Sequence, residues 1–158
     1  MTALIVACAA LVAAAIAVLV VRRRLTMVSV CGPSMRPNLG PGDRVLARRA
    51  TVRRLRVGQV VVFEQPAAGR TWTNRAPSWP PGRREWLIKR VAAVPGDTAP
   101  SWVPDAVGVR IPEGWFAVLG DNAANSLDSR TFGLVPADCL LGVMIRPVHV
   151  AGATTARS

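Results

Sequence analysis

The sequence is poor in acidic residues, histidine and cysteine. Nine Asp and Glu oppose 20 Lys and Arg, so the net charge is +11 at pH 7. The single histidine, His149, cannot build a multi-histidine metal site, and a Ser-His-Asp triad would have to use this one residue. A basic chain can bind nucleic acid, but no helix-turn-helix, zinc-finger or aromatic-interleaved basic pattern is present. We therefore expect no metal, no cofactor and no nucleic-acid partner.

Glycine and proline, 13 of each among 158 residues, are too frequent for a helical bundle or a coiled coil. Hydrophobic residues make up 51% of the chain, which argues against disorder. The length supports one domain with one core, or a smaller domain with an appendage. Of the three cysteines, Cys31 and Cys139 fall in this domain, where they either form a disulfide or are buried as small hydrophobic residues.

An uncharged apolar segment at residues 3–21 contains neither Gly nor Pro. As a helix, its 19 residues extend about 28 Å, close to the hydrocarbon thickness of a bilayer. A cleaved signal peptide is the alternative, but such a peptide has a basic start, a shorter apolar core and a polar cleavage site. Here the basic residues, Arg22, Arg23 and Arg24, follow the segment. We predict a permanent transmembrane anchor over residues 3–21.

Residues 22–150 are predicted to form a mostly β domain, followed by a flexible tail at residues 151–158. Short β-branched runs alternate with Gly and Pro, which favours strands over helices. The predicted strands are residues 26–30, 44–48, 60–63, 86–94, 115–119 and 140–145. Residues 64–84 contain four prolines and are predicted to be a long surface loop. Its Trp72 and Trp79 either enter a membrane interface or cover the core.

The segment from residue 22 to residue 56 contains ten arginines and one acid, Asp43. A basic segment beside a membrane anchor is typical of a domain held against anionic lipid, so membrane lipid is an expected partner. The basic flank alone would place the domain in the cytoplasm, although long C-terminal domains translocate largely regardless of flanking charge.

Only one of the 20 basic residues is a lysine, Lys89. Arginine keeps its proton at any working pH, whereas a lysine removed from water can lose it. In the predicted strand at residues 86–94, alternation places Lys89 on the same face as Leu87 and Val91. Burial there can bring the pKa of Lys89 from about 10.4 to about 8. The alternative is a surface lysine whose ammonium reaches solvent.

Ser34 lies between the first two predicted strands, in a loop rich in proline and glycine. A loop of this kind holds a serine exposed at a strand end, as an attacking hydroxyl requires. An ordinary turn serine is the commoner outcome for a Gly-Pro-Ser sequence taken alone. The presence of both Ser34 and Lys89 favours a Ser-Lys nucleophilic site.

Four segments of the chain resemble the type I signal peptidases, including their mitochondrial inner-membrane branch. Residues 32–39 (GPSMRPNL) resemble the nucleophile motif, and residues 57–63 (VGQVVVF) resemble a Gly-Asp-hydrophobic strand. Residues 88–97 (IKRVAAVPGD) resemble the general-base motif, and residues 120–130 (GDNAANSLDSR) match the last motif nearly completely. The segments follow the family's order after one apolar segment and cover most of the chain.

The chain also departs from the family pattern. Three positions replace its small hydroxylic or Ala residue, its aspartate and its glycine: Asn38, Gln59 and Ala93. None of them holds a reacting group. Gly32 lacks the hydroxyl that some members use as a second oxyanion donor, and Pro33 has no N–H, which leaves the backbone N–H of Ser34 as the clear donor.

The resemblance implies a signal-peptidase-like β catalytic domain on one N-terminal transmembrane helix, and Ser-Lys acyl transfer. Ser34 would attack the scissile carbonyl while neutral Lys89 takes the hydroxyl proton. By the same resemblance, Ser126 hydrogen-bonds the lysine amine and orients it. Asp128 and Arg130 brace the site, unless they form an ordinary surface ion pair that contributes little.

The resemblance also implies the substrates. Met35 would line the pocket for the residue before the cut, and small residues such as Ala would occupy the first and third positions upstream. The substrate would lie extended against an exposed strand and bind through main-chain hydrogen bonds.

We therefore expect a membrane-anchored serine endopeptidase that removes signal or leader peptides from exported precursors. A maturation peptidase dedicated to one secreted product and a non-catalytic membrane-associated binding module are the alternatives. Self-cleaving repressors share Ser-Lys chemistry, but a transmembrane anchor does not suit them. Because the substrates are exported, we predict a single-pass protein of the cell membrane with its catalytic domain on the extracytoplasmic face.

Overall fold

The computed structural model describes residues 2–66, 72, 85–104 and 106–148; for residues 2–5 and 23 it describes the backbone only. The predicted tail, His149, Trp79 and most of the predicted long loop lie outside the described residues. Within the described part of the chain, no helix is long and apolar enough to cross a membrane.

One helix precedes the β domain. Helix α1 (Thr2–Arg24) passes without a loop into strand β1 (Leu25–Ser29). No Gly or Pro interrupts α1, and alanine, the residue with the highest helix propensity, is frequent in it. Large apolar side chains along α1 are exposed, with Leu11 72% and Ile16 56% accessible. An exposed apolar helix therefore leads directly into the first strand.

In the described residues, a seven-stranded antiparallel sheet forms the domain. The other strands and the second helix are β2 (Arg44–Arg49), β3 (Val60–Glu64), β4 (Trp86–Ala93), β5 (Trp115–Leu119), α2 (Ser129–Phe132), β6 (Val135–Pro136) and β7 (Leu140–Val148). Short 3-10 turns lie at Val52–Arg54, Ala123–Asn125 and Ala137–Cys139. The spatial order of the strands is β1-β2-β7-β3-β4-β5-β6.

The prediction of a mostly β domain after an N-terminal helix is confirmed. All six predicted strands are present, with ends that differ by at most three residues from those observed. The missed strand, β6, has only two residues and one of them is proline, so it shows no alternation that a pattern could detect.

Strand β3 is buried on both faces. Val61 and Phe63 pack in one hydrophobic cluster with Phe116, whereas Val62 packs in a second cluster with Val45. Successive side chains of a strand point to opposite faces, so this sheet has core on both sides. Burial of each such side chain stabilises the fold by about 1.5–3 kcal/mol relative to exposure.

Trp72 packs against the core. Its ring centroid lies 5.4 Å from that of Phe132, at an interplanar angle of 88°, and 6.5 Å from that of Phe63. Cys139 is buried in the same cluster, whereas Cys31 is exposed, and no disulfide joins these two described residues. The core interpretation is therefore right for Trp72, and Cys139 is a small buried side chain.

Two of the strand edges without a ladder partner among the described residues, hereafter the open strand edges, belong to β1 and β4. Strand β1 pairs only with β2. The first half of β4 pairs only with β3, because its ladder to β5 begins at Arg90. Such open edges present backbone N–H and C=O groups that an extended peptide can use.

Candidate active site

Ser34 lies in the loop between β1 and β2, hereafter the Ser34 loop (residues 30–43). A backbone hydrogen bond from the Val30 N–H to the Asp43 carbonyl, 2.8 Å long, closes the base of the loop. The Leu39 N–H donates to the Met35 carbonyl at 2.9 Å, and both of these side chains are buried. The loop is thus fastened to the core, while Ser34 itself stays partly exposed.

Lys89 lies on β4 and points at the Ser34 hydroxyl. Its Nζ is 2.7 Å from Ser34 Oγ and 3.2 Å from the Ile88 carbonyl oxygen. The lysine is only 2% exposed, as the alternation in β4 predicts, so it is not the solvent-reaching surface lysine of the alternative interpretation. The structure therefore brings the two predicted reacting groups to hydrogen-bonding distance.

Burial lowers the pKa of Lys89 from 10.5 to about 8, and the negative charge of Asp128 opposes this shift only in part. With a pKa of about 8, about a tenth of the amines are neutral at pH 7, against fewer than roughly one in a thousand for an exposed lysine. The neutral amine has a lone pair that can accept the Ser34 hydroxyl proton at the observed distance. The pair can therefore activate a serine nucleophile.

Asp128 is fully buried and accepts several hydrogen bonds. The Arg130 guanidinium donates to its carboxylate at 2.8 and 2.9 Å, and the Gly120 N–H donates at 3.0 Å. Burial alone would raise the pKa of Asp128, but these bonds outweigh burial and lower the pKa to about 2. Arg130 also donates to the Ala123 carbonyl at 2.9 Å. The pair joins the start of α2 to the turn that follows β5.

Ser126 does not make the hydrogen bond to Lys89 that the resemblance implies. Its Oγ is buried and makes no hydrogen bond to Lys89, but it lies close enough to the Asp128 carboxylate to help lower the pKa of that group. Ser126 instead packs against Gly120. A Cβ atom on residue 120 would collide with the Ser126 side chain and would lie 2.7 Å from the Ser34 carbonyl oxygen. Only glycine allows the turn after β5 to approach the Ser34 loop this closely.

The sequence assigns no role to four further residues at the site: Asn38, Arg90, Asp121 and Asn122. The Asp121 carboxylate accepts hydrogen bonds from Arg90 Nε at 2.8 Å, Arg90 Nη2 at 2.7 Å and Asn38 Nδ2 at 2.7 Å. Burial would raise the pKa of Asp121, but the bonds from Arg90 and Asn38 lower it overall. The Asn122 N–H donates to the Ser34 carbonyl at 2.9 Å. One sequence signal could have pointed to this contact. Because acidic residues are few and arginines many, Asp121 is expected to pair with an arginine.

A cavity of about 630 Å³ opens beside Ser34 and Lys89. Both open strand edges line it, through residues 27–31 on one side and residues 85–89 on the other. Four lining residues also belong to a buried core cluster: Val28, Val30, Met35 and Ile88. The cavity is large enough to hold part of an extended peptide. Among the described residues, no group of three or more His, Cys, Asp or Glu side chains could hold a metal ion.

Known proteins resemble this chain over most of its length. A family model described as "Signal peptidase, peptidase S26" matches residues 2–100 and 98–148. The mitochondrial ATP-independent inner membrane protease subunit 1b of Arabidopsis thaliana is 36% identical over 123 residues, which cover 73% of this chain and 65% of that protein.

Two further relatives are a second mitochondrial protease subunit and a signal peptidase. The mitochondrial inner membrane protease subunit 1 of Schizosaccharomyces pombe is 34% identical over 114 residues, covering 66% of this chain and 61% of that protein. The signal peptidase I of Leptolyngbya laminosa is 28% identical over 148 residues, covering 75% and 68%. The chain thus spans less than two thirds of the length of the two mitochondrial relatives.

Replacement of Lys89 by Met tests the cost of the buried ammonium. At pH 7 the lowered pKa corresponds to about 3 kcal/mol of destabilisation, and Met has no charge to desolvate. We expect Lys89→Met to unfold at a higher temperature than the wild type at neutral pH. Between pH of about 8 and 10.5 the unfolded chain still binds this proton and the folded chain does not, so the wild type gains stability and the difference shrinks.

The unfolding temperatures of the wild type and of Lys89→Met are measured on the full chain in detergent, from about pH 7 to 10. The exposed Arg146 offers the control, since Arg146→Met should change stability little and without this pH dependence. A Lys89→Met protein that is less stable than the wild type at pH 7 would contradict the buried, destabilising ammonium.

Proposed function

The chain belongs to the signal peptidase family, peptidase S26, and on that basis we propose that it is a serine endopeptidase that removes signal or leader peptides from exported precursors. The observation that carries the proposal is the 2.7 Å distance between Ser34 Oγ and the Nζ of the buried Lys89. A nucleophile and a desolvated base within hydrogen-bonding reach of each other are the pair that acyl transfer requires.

In the proposed reaction, Ser34 Oγ attacks the scissile carbonyl carbon and neutral Lys89 takes the hydroxyl proton. The tetrahedral intermediate collapses as the C–N bond breaks, and the Lys89 ammonium gives its proton to the leaving amine. Lys89 is then neutral again and takes a proton from a water molecule that attacks the acyl-enzyme ester. Collapse of the second intermediate returns this proton to Ser34 Oγ and releases the new carboxyl end.

We assign the supporting roles to groups around this pair. Asp128 and Arg130 hold the turn after β5 in place, and the backbone N–H of Ser34 is the proposed oxyanion donor. Gly32 has no side-chain hydroxyl and Pro33 has no backbone N–H. Neither of these groups is therefore present to donate a second hydrogen bond to the oxyanion.

The cavity between the two open strand edges is the proposed substrate cleft. An extended peptide there could hydrogen-bond to β1, to the first half of β4, or to both. The Met35 side chain, 1% exposed and next to Ser34, is the proposed floor of the pocket for the residue before the cut. The preference for small residues at the first and third positions upstream stays a prediction.

Substitution of the two reacting groups tests the proposal. Ser34→Ala removes the nucleophile, and Lys89→Arg keeps the positive charge but cannot release a proton. Each should lower kcat on a precursor or signal-peptide substrate by about three orders of magnitude or more. Ser101→Ala, which changes an exposed serine outside the cavity, is the matched control and should leave kcat unchanged. A Lys89→Arg protein with wild-type activity would refute the mechanism.

The pH profile tests the protonation state of Lys89. Because the neutral amine is the proposed base and its pKa is lowered to about 8, kcat/KM should rise with pH and reach a plateau above pH of about 8. Below the pKa, each pH unit should lower kcat/KM by about tenfold. Measurement on a peptide without titrating groups near the cut keeps substrate ionisation out of the profile. A profile that is flat or falls between about pH 6 and 9 would contradict the assignment.

We further propose that α1 anchors the protein in the cell membrane as a single span, with the catalytic domain on the extracytoplasmic face. No helix in the described part of the chain is long and apolar enough to cross a membrane, so the proposal rests on the whole apolar segment. Residues 3–21 carry no charge, and the large apolar side chains described along α1 are exposed. The exposed Arg44, Arg48 and Arg146 on β2 and β7 would then lie near anionic lipid headgroups, which attract basic groups.

Membrane extraction and protease accessibility test the anchor and its orientation. The full chain should resist alkaline extraction, whereas Leu11→Arg should weaken its retention, because a charge in the middle of a span costs about 3 kcal/mol. Ile145→Arg, at an exposed apolar position on β7, is the control and should be retained like the wild type. A tag after residue 158 should be digested when protease is added to spheroplasts. Extraction of the wild type or protection of the tag would contradict the anchor or the orientation, respectively.

A further inference from the structure

We propose that Asn38 is a positioning residue: by binding Asp121, it holds the Ser34 loop at the distance from Lys89 that the reaction needs. This inference rests on the proposed function, because the distance matters only if the pair reacts. Asn38 stands where the resembling family usually has a small hydroxylic or Ala residue, so an amide that reaches out from this position is a feature of this chain.

The sheet does not by itself fix the distance between Ser34 and Lys89. Ser34 follows β1 and Lys89 lies on β4, and the strands β2, β7 and β3 separate these two in the sheet. Small changes in twist accumulate over the intervening strands. Core packing of Met35 and Leu39 with Ile88 keeps the loop near β4, and a further link outside the cavity can set the 2.7 Å distance between the two atoms.

The turn at residues 120–122, after β5, contacts both sides. On the β4 side, the backbone of Arg90 pairs with Leu119, and the Arg90 guanidinium holds the Asp121 carboxylate with two hydrogen bonds, at 2.7 and 2.8 Å. Arg90 is the residue directly after Lys89. This side of the link is charged, bidentate and anchored in the ladder, which makes it strong and directional.

On the side of the Ser34 loop, two residues of the turn make contacts. The Asn122 N–H donates to the Ser34 carbonyl at 2.9 Å, which fixes the backbone of the serine. Asn38 Nδ2 donates to Asp121 Oδ2 at 2.7 Å, and this oxygen also accepts from Arg90 Nη2. One carboxylate oxygen thus connects the Ser34 loop to the residue next to Lys89.

A hydrogen bond that fixes Asn38 can also position Ser34, because the backbone between the two residues is constrained. The backbone bond from the Leu39 N–H to the Met35 carbonyl spans this segment, and both side chains are buried in the core. Loss of the Asn38 bond would leave the loop held to the turn by Asn122, whose N–H donates to the Ser34 carbonyl at 2.9 Å and whose Nδ2 donates to the Pro33 carbonyl at 3.3 Å. A displacement of about 1 Å in a reacting group can lower a rate by about a hundredfold.

The test compares Asn38→Ala and Asn38→Asp with the wild type on a signal-peptide substrate. Asn38→Ala removes the donor, and Asn38→Asp keeps the shape but places a second carboxylate against Asp121. We expect kcat per active site, titrated with an acylating inhibitor, to fall by about tenfold or more in both variants, and further in Asn38→Asp. KM should stay within about twofold, and the inflection near pH 8 should not move, because the burial of Lys89 is unchanged.

Asn125→Ala, an exposed asparagine in the 3-10 turn beside the site, is the matched control and should keep the wild-type kcat. A merely structural role for Asn38 would lower the amount of active protein but not kcat per titrated site. An unchanged kcat per site in both Asn38 variants would overturn the proposal.

A double-mutant cycle tests the contact without relying on activity. In thermal unfolding, Asn38→Ala and Asp121→Asn should destabilise the protein less together than the sum of their separate effects, because both remove the same bond. Additive effects would overturn the proposed link even if the enzyme is active. If the effects are non-additive but the wild type cleaves no signal-peptide substrate, the link stands and the proposed function is contradicted.

Discussion

The proposed activity depends on one energetically costly arrangement, a lysine amine removed from water and held at hydrogen-bonding distance from a serine hydroxyl. The desolvation that lowers the pKa of Lys89 comes from its place on a central strand, where the fold leaves it 2% exposed. Asp128 is close enough to oppose this shift, but its carboxylate is already bound by Arg130 and by the Gly120 N–H. The ion pair therefore supports the site without keeping the lysine fully charged.

The rest of the architecture serves to place that amine. A sheet with core on both sides makes β4 rigid, and the open half of β4 leaves room for a peptide beside the lysine. The Ser34 loop comes from the opposite end of the strand order. It contacts β4 at Lys89 and in the core cluster that contains Met35 and Ile88, and the turn after β5 holds it as well. Gly120 permits that meeting, because a side chain there would collide with Ser126 and crowd the Ser34 carbonyl.

Much of this arrangement could be predicted from the sequence. Alternating β-branched runs gave the six long strands, and the rarity of lysine singled out Lys89, whose burial follows from its register in β4. The contacts of Asn38 and Asp121 could not be predicted, because residues 83 positions apart in the chain meet only through tertiary packing. The lack of a hydrogen bond between the buried Ser126 hydroxyl and Lys89 also could not be predicted, because side-chain rotamers depend on neighbours that the motif does not specify.

Several residues that line the cleft also belong to the hydrophobic core. Val28, Val30, Met35 and Ile88 face the cavity and at the same time pack against the buried residues of one cluster. A substitution that widens or narrows the cleft at these positions therefore also leaves a void or an excess of volume in the core, at a cost of roughly 1–5 kcal/mol. If the cavity binds substrate as proposed, a new side-chain preference at these positions would therefore come with a loss of conformational stability.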